Sequence, residues 1–131
     1  MVGKKKTTQE LSIETEPVAV EETDLARDLR TTLEEIAKYE GVIGYILRNS
    51  TSAAIDLKDP TKIIDYAILS SSLFDAGEEM STLLNIGDIK NIIIEGKDAK
   101  IISLTVNENK ISVFMEKNAN SEKILKKLHS F

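Results

Sequence analysis

Apolar residues in this chain recur at two periods, and the change of period marks out the elements. Leu25, Leu29, Leu33 and Ile36 fall at three- and four-residue spacing, one stripe of an amphipathic helix. Thr23 or Asp24 can cap its start, and Gly41 stands where a glycine cap ends a helix. Val42–Arg48 and 52–57 then read as two strands around the polar turn Asn49-Ser50-Thr51. Pro60 suits the first turn of a long helix that runs to about Ile86 and stops at Gly87. Three strands follow, Asp88–Glu95, Ala99–Val106 and Lys110–Glu116, separated by the turns Gly96-Lys97-Asp98 and Asn107-Glu108-Asn109. Ser121 can cap a last helix to about Ser130, with Ile124, Leu125 and Leu128 as its apolar face.

The long helix has more apolar surface than one face can use. Tyr66, Leu69, Leu73, Ala76, Met80 and Leu83 form one stripe, Ile63, Ala67, Phe74 and Leu84 a second. Between them lie the small residues Ser70, Gly77 and Ser81. A helical glycine costs roughly 1 kcal/mol relative to alanine, so Gly77 marks close approach by another element. That element is either this chain's own sheet or a second copy. The apolar arc exceeds the roughly 100° a one-sided helix needs, which favours the second copy.

The strands do not alternate cleanly. Ile92 and Ile94 point to one face and Ile89 and Ile93 to the other, while Val42 and Ile46 oppose Ile43, Tyr45 and Leu47. Both faces of the sheet are therefore covered, in three layers: the long helix on one face, the two terminal helices on the other. The class is α+β. Residues 1–22 show no sustained period and carry Lys4, Lys5 and Lys6 before an acid-rich stretch with Glu14, Glu16, Glu21 and Glu22. They read as a disordered tail, and 23–131 as one domain.

Composition narrows the chemistry. With 131 residues, a net charge of −5 and three arginines, the chain lacks the concentrated positive charge of a nucleic-acid binder. It has no cysteine and one histidine, which leaves few ways to build a metal centre or a catalytic triad. No apolar run spans a bilayer, no signal-peptide pattern opens the chain, and Val2 excludes N-terminal myristoylation. A cytoplasmic protein is expected, without membrane, metal or cofactor. No phosphate-binding GxxxxGK[ST] loop occurs. Asp56, Asp59 and Asp65 read as acids near a helix start. Glu78 and Glu79 point in different directions, and Arg48 reads as a surface residue beside a turn rather than a catalytic finger. Tyr45, Tyr66 and Phe114 read as core, and His129 as a surface residue in a last helical turn. No catalytic residue is expected.

The order helix, two strands, long helix, three strands, helix resembles the Roadblock domain, named for dynein light chains and shared by prokaryotic GTPase regulators. The local match is carried by GEEMSTLLNIGDIKNIIIEG (77–96), within a longer run from Ser70 to Leu128, by GVIGYILRNSTSAAI (41–55) and by NANSEKILKKL (118–128). Asn49-Ser50-Thr51-Ser52 departs from the Asp-Gly turn of many relatives. The resemblance implies a five-stranded antiparallel sheet in the order 2-1-5-4-3. It also implies a dimer, with itself or a related chain, in which third strands pair edge to edge and long helices pack together. Leu69, Ser70, Leu73, Gly77, Met80, Ser81, Asn91, Ile93 and Glu95 would then form the interface. It further implies a non-enzymatic module that binds and regulates a Ras-like small GTPase as an activating platform, docking through Asp75, Glu79 and Thr82. The alternatives are an adaptor subunit of a larger complex without a GTPase and, against an Ile-, Leu- and Phe-filled core, a small-molecule sensor.

Overall fold

Thr23 opens the first helix, α1 (Asp24–Ile36), its hydroxyl accepting the Ala26 N–H at 3.1 Å. The computed structural model describes residues 23–131; the tail expected over 1–22 lies outside the described residues. Helix α1 ends five residues before Gly41. That glycine, at φ +85°, turns the chain into strand β1 (Val42–Arg48) instead of capping the helix. Strand β2 (Ala53–Leu57) returns through a turn that Asn49 organises. The Asn49 side-chain oxygen accepts the N–H groups of Thr51 and Ser52 at 2.9 and 3.0 Å, and its amide nitrogen donates to Asn109 at 3.0 Å. This replaces the left-handed Asp-Gly turn with side-chain-to-backbone bonding.

The long helix starts later than its sequence pattern predicts. Pro60–Lys62 is a short 3-10 turn capped by Asp59, and α2 (Ile63–Leu84) follows. The Asp59 carboxylate accepts from the Thr61 hydroxyl at 2.6 Å and the Thr61 N–H at 3.1 Å, bonds that hold its carboxyl below the ordinary range. Asn85, at φ +53°, ends α2 in the left-handed conformation. Strand β3 is only Asn91–Glu95, because Asp88–Lys90 finds no ladder partner. Strands β4 (Ala99–Val106) and β5 (Asn109–Glu116) complete the meander, and α3 (Ser121–Leu128) is capped by Asn120 rather than Ser121.

All neighbours in the sheet are antiparallel, in the order β2-β1-β5-β4-β3. Leu29, Leu33 and Ile36 of α1 and Ile124 and Leu128 of α3 pack with Tyr45, Leu47, Ile102, Leu104, Ile111, Val113 and Met115 on one face. The other face holds a smaller core of Ile46, Leu57 and Phe114, with Ile63, Tyr66 and Ala67 of α2 against it. The Tyr66 and Phe114 ring centroids stand 4.6 Å apart. The three layers expected from the sequence are present. They are unequal, and the inequality is what matters for function.

Candidate functional site

Of the 22 residues of α2, only Ser70, Phe74 and Gly77 are buried. Ser70 lies against the sheet, its hydroxyl 2.6 Å from that of Ser112, which is 2.8 Å from that of Ser103. These three buried hydroxyls satisfy one another and bring the helix close to the strands. A Cβ on Gly77 would stand 2.8 Å from Ile92 Cδ1. Ser81 is half-buried, and its hydroxyl donates to the Gly87 carbonyl just past the helix end. The strip of small residues therefore faces this chain's own sheet. The expectation that Ser70, Gly77 and Ser81 admit a second helix is corrected, because shallow side chains are what let α2 sit low over β3, β4 and β5.

This alters what Gly77 substitutions do. In Gly77→Ala, the helix-propensity gain of about 1 kcal/mol opposes a small movement of the flexible Ile92 tip, so the melting temperature should barely change. Gly77→Leu would prise α2 off the sheet and cost about 3 kcal/mol of folding stability. Thermal unfolding of both variants checks this. A Leu variant that melts like the parent yet becomes monomeric would return the strip to the intermolecular role.

With the small strip used internally, the remaining apolar surface of α2 stays open. At about 100° per residue, Leu69, Leu73, Ala76, Met80 and Leu83 share one flank. Leu69 is 46%, Met80 52% and Leu83 77% exposed, and Leu73 is half-buried. Leu84, the last residue of the helix, and Ile86 just past it extend the exposed patch. Beyond α2, β3 is an outer strand with no neighbour on one side among the described residues, and its Ile93 and Ile94 are both exposed. By register, Asn91, Ile93 and Glu95 lie on the face of α1 and α3, and Ile92 and Ile94 on that of α2.

The outward side of α2 carries Asp75, Glu79 and Thr82, all exposed. It also carries Ile64 and Ile68, 73% and 59% exposed, which belong to neither stripe read from the sequence. Their signal was available: a surface helix that is apolar nearly all round has more than one partner. Arg48 is half-buried beneath α2, its guanidinium 5.7 Å from the centre of the Phe74 ring, and does not project as a finger. Among the described residues, no three His, Cys, Asp or Glu side chains gather as a metal site, and no helix is long and apolar enough to cross a membrane. A cavity of about 670 Å³ lies between the C-terminal half of α2 and β3 and β4.

The exposed apolar flank of α2 thus lies beside an unpaired strand edge, two features that soluble proteins ordinarily cover. No protein-family model matches the sequence, and no curated protein does. Solved structures show the fold. The Roadblock/LC7 domain from Streptomyces avermitilis is 13% identical, with a TM-score of 0.62 over 77% of this chain and 85% of that one. The gliding protein MglB from Thermus thermophilus is 15% identical, with a TM-score of 0.65 over 88% and 91%. An MglB in a tetrameric arrangement matches at 15% identity, with a TM-score of 0.65 over 88% and 90%. The fold is the Roadblock/LC7 fold, as the sequence order predicts.

Proposed function

We propose that this chain is a non-catalytic interaction module that forms a homodimer and, as a dimer, binds and regulates a Ras-like small GTPase. One observation carries the reading: the apolar flank of α2 (Leu69, Leu73, Met80, Leu83) and the open edge of β3 are exposed together on one chain. A second copy related by a two-fold axis meets both needs. The α2 flanks cover each other's apolar area, and the two β3 edges satisfy each other's free N–H and C=O groups. Asn91, Ile93 and Glu95 then lie along the strand junction. The tetrameric arrangement of MglB supports self-association as a use of this fold.

Pairing of the α2 flanks leaves their outward rows side by side. Ile64 and Ile68 supply apolar anchors there, and Asp75, Glu79 and Thr82 a polar rim, the composition of a protein-docking patch. Such a platform acts by holding and repositioning the GTPase's own residues, and it needs no catalytic group of its own. Size-exclusion chromatography with light scattering, on the protein mixed with a small GTPase from the same organism, tests the reading. We expect a dimer of twice the 14.5 kDa chain mass that shifts with the GTP-loaded partner and less with the GDP-loaded one. Glu79→Lys should weaken that complex about tenfold, one charged contact's worth, and leave the dimer intact. A dimer indifferent to both nucleotide states would turn the assignment to a structural adaptor.

A further inference from the structure

Charged residues on the two terminal helices mix in sign and pair. Arg27 meets Asp24 and Arg30 meets Glu34 within α1, and Lys127 of α3 meets Glu35 of α1. Helix α2 departs from this pattern. It carries Asp65, Asp75, Glu78 and Glu79 and no lysine or arginine. All four acids are exposed, and none forms an ion pair among the described residues. Asp75 stands three residues before Glu78 and four before Glu79, spacings at which like charges repel along a helix. The last turn of α2 has no basic residue to complement its dipole, whereas that of α3 has Lys126 and Lys127. On the same outward side, most of the Ile64 and Ile68 side chains stand in water. A helix serving this chain alone would be steadier with lysine at 79 and polar residues at 64 and 68. Local rules broken with no compensation inside the chain mark a functional surface.

The fold orders these features along α2. Ile63 packs on the core of Ile46, Leu57 and Phe114, toward β2, while Gly77 lies over Ile92 of β3. At about 100° per residue, Ile64, Ile68, Asp75 and Glu79 fall within about 60° of one another. With a rise of 1.5 Å per residue, Ile68 follows Ile64 by about 6 Å, Asp75 follows by about 10 Å more, and Glu79 by about 6 Å again. The row is therefore apolar over the β2 side of the sheet and acidic over the β3 edge. When two β3 edges pair about a two-fold axis, the acidic halves lie nearest the axis and the isoleucines at the two ends.

We propose that this row recognises a basic protein surface, with lysine or arginine side chains against Asp75 and Glu79, Glu78 beside them, and apolar side chains against Ile64 and Ile68. The inference rests on the docking reading above and adds the sign of the partner's charge and its order along the surface. A basic face relieves the repulsion within α2 and is steered toward it. A neutral or acidic face would desolvate the carboxylates without a counter-charge, which is costly.

Affinity for the GTP-loaded small GTPase, measured at about 50 and about 200 mM salt, tests the inference. The dissociation constant should rise about tenfold with the salt. Asp75→Asn/Glu79→Gln should weaken the complex about tenfold at the lower salt and remove most of the salt dependence. Ile64→Ser/Ile68→Ser should weaken it at both salts and keep the salt dependence. Folding is checked in the same series: Glu79→Lys, which turns a like-charge pair into an opposite one, should melt no lower than the parent while binding less. A complex equally tight at both salts, or tightened by the Asn/Gln variant, would overturn the inference and leave the docking reading standing.

A GTPase that bound at neither salt would remove the docking reading instead, and a second probe then decides the inference. That probe is a synthetic helical peptide with leucine on one face and lysine on the other, titrated into the 15N-labelled protein. Amide shifts should concentrate at Ile64, Ile68, Asp75 and Glu79, and a peptide with glutamate in place of lysine should produce none. Shifts centred on acids outside α2 or on the Leu69–Met80 flank, or no shifts at all, would overturn the proposal.

Discussion

Replacing Leu69 and Met80 together with glutamate is expected to convert the dimer proposed above into a folded monomer. Both side chains are about half exposed on the single chain, 46% and 52%, so burying the rest against a second copy contributes about 1–1.5 kcal/mol each. A two-fold interface counts every substitution twice. Four such side chains are worth about 5 kcal/mol, or roughly three to four orders of magnitude in dissociation constant. Four carboxylates forced toward one another add desolvation and repulsion in the same direction. The monomer has no comparable cost, because the glutamates sit in water on α2. Light scattering should therefore read one chain mass at micromolar concentration, while circular dichroism keeps the helix and strand content. The melting temperature should lose the concentration dependence that dimerisation imposes. A variant that remained dimeric would show that the α2 flank is not the contact.

The second large effect is expected inside the fold. Gly44 lies at the β1 bulge, where the β1–β5 register shifts between Val42 and Gly44. A Cβ at this position would stand 2.2 Å from the Asp56 carbonyl oxygen and 2.8 Å from the Leu57 Cα, with Leu57 Cδ2 at 2.6 Å. Two of these three atoms are backbone of the neighbouring strand, so no rotamer change relieves the clash. Gly44→Ala should push β2 away from β1 and disturb Leu57, one of three buried residues in the smaller core. The cost is about 3 kcal/mol or more, a large share of the stability of a small domain. It should lower the melting temperature by about 15 °C. Differential scanning calorimetry of Gly44→Ala beside Gly77→Ala separates the cases. The glycine facing backbone should be intolerant, and the one facing a side-chain tip tolerant. A Gly44→Ala protein melting within a few degrees of the parent would contradict the bulge geometry.

Much of this molecule is legible along the chain. Leu25, Leu29, Leu33 and Ile36 set the face of α1, and the apolar residues on both faces of β1 announce a sheet covered on both sides; the isoleucines of β3 carry the same signal, yet Ile93 and Ile94 are exposed on the outer strand. Turn residues at 49–51, 96–98 and 107–109 place the strands within a residue or two. The exceptions have local causes. The glycine signal at Gly41 reads as a helix cap, whereas the residue serves the strand entry. Asp88–Lys90 carries strand-like residues but reaches past the ladder. Such signals act over a few neighbouring residues, which is why the sequence determines element type, order and, with the resemblance, the strand order.

The distribution of the long helix's surface was a tertiary matter. Periodicity shows that α2 is apolar nearly all round, but a helical wheel has no outside reference and cannot say which arc meets the sheet. The sheet settles it by placing Ser103 and Ser112 under Ser70, and Ile92 under Gly77. The small strip is thereby used within the chain, and Leu69, Met80, Leu83, Ile64 and Ile68 remain exposed. Two cations show the same: Arg48 and Lys110 are 62 residues apart in sequence and stand opposite each other only when β1 pairs with β5. Local spacing determined what each segment is; the pairing of distant strands decided which side chains were left without a partner.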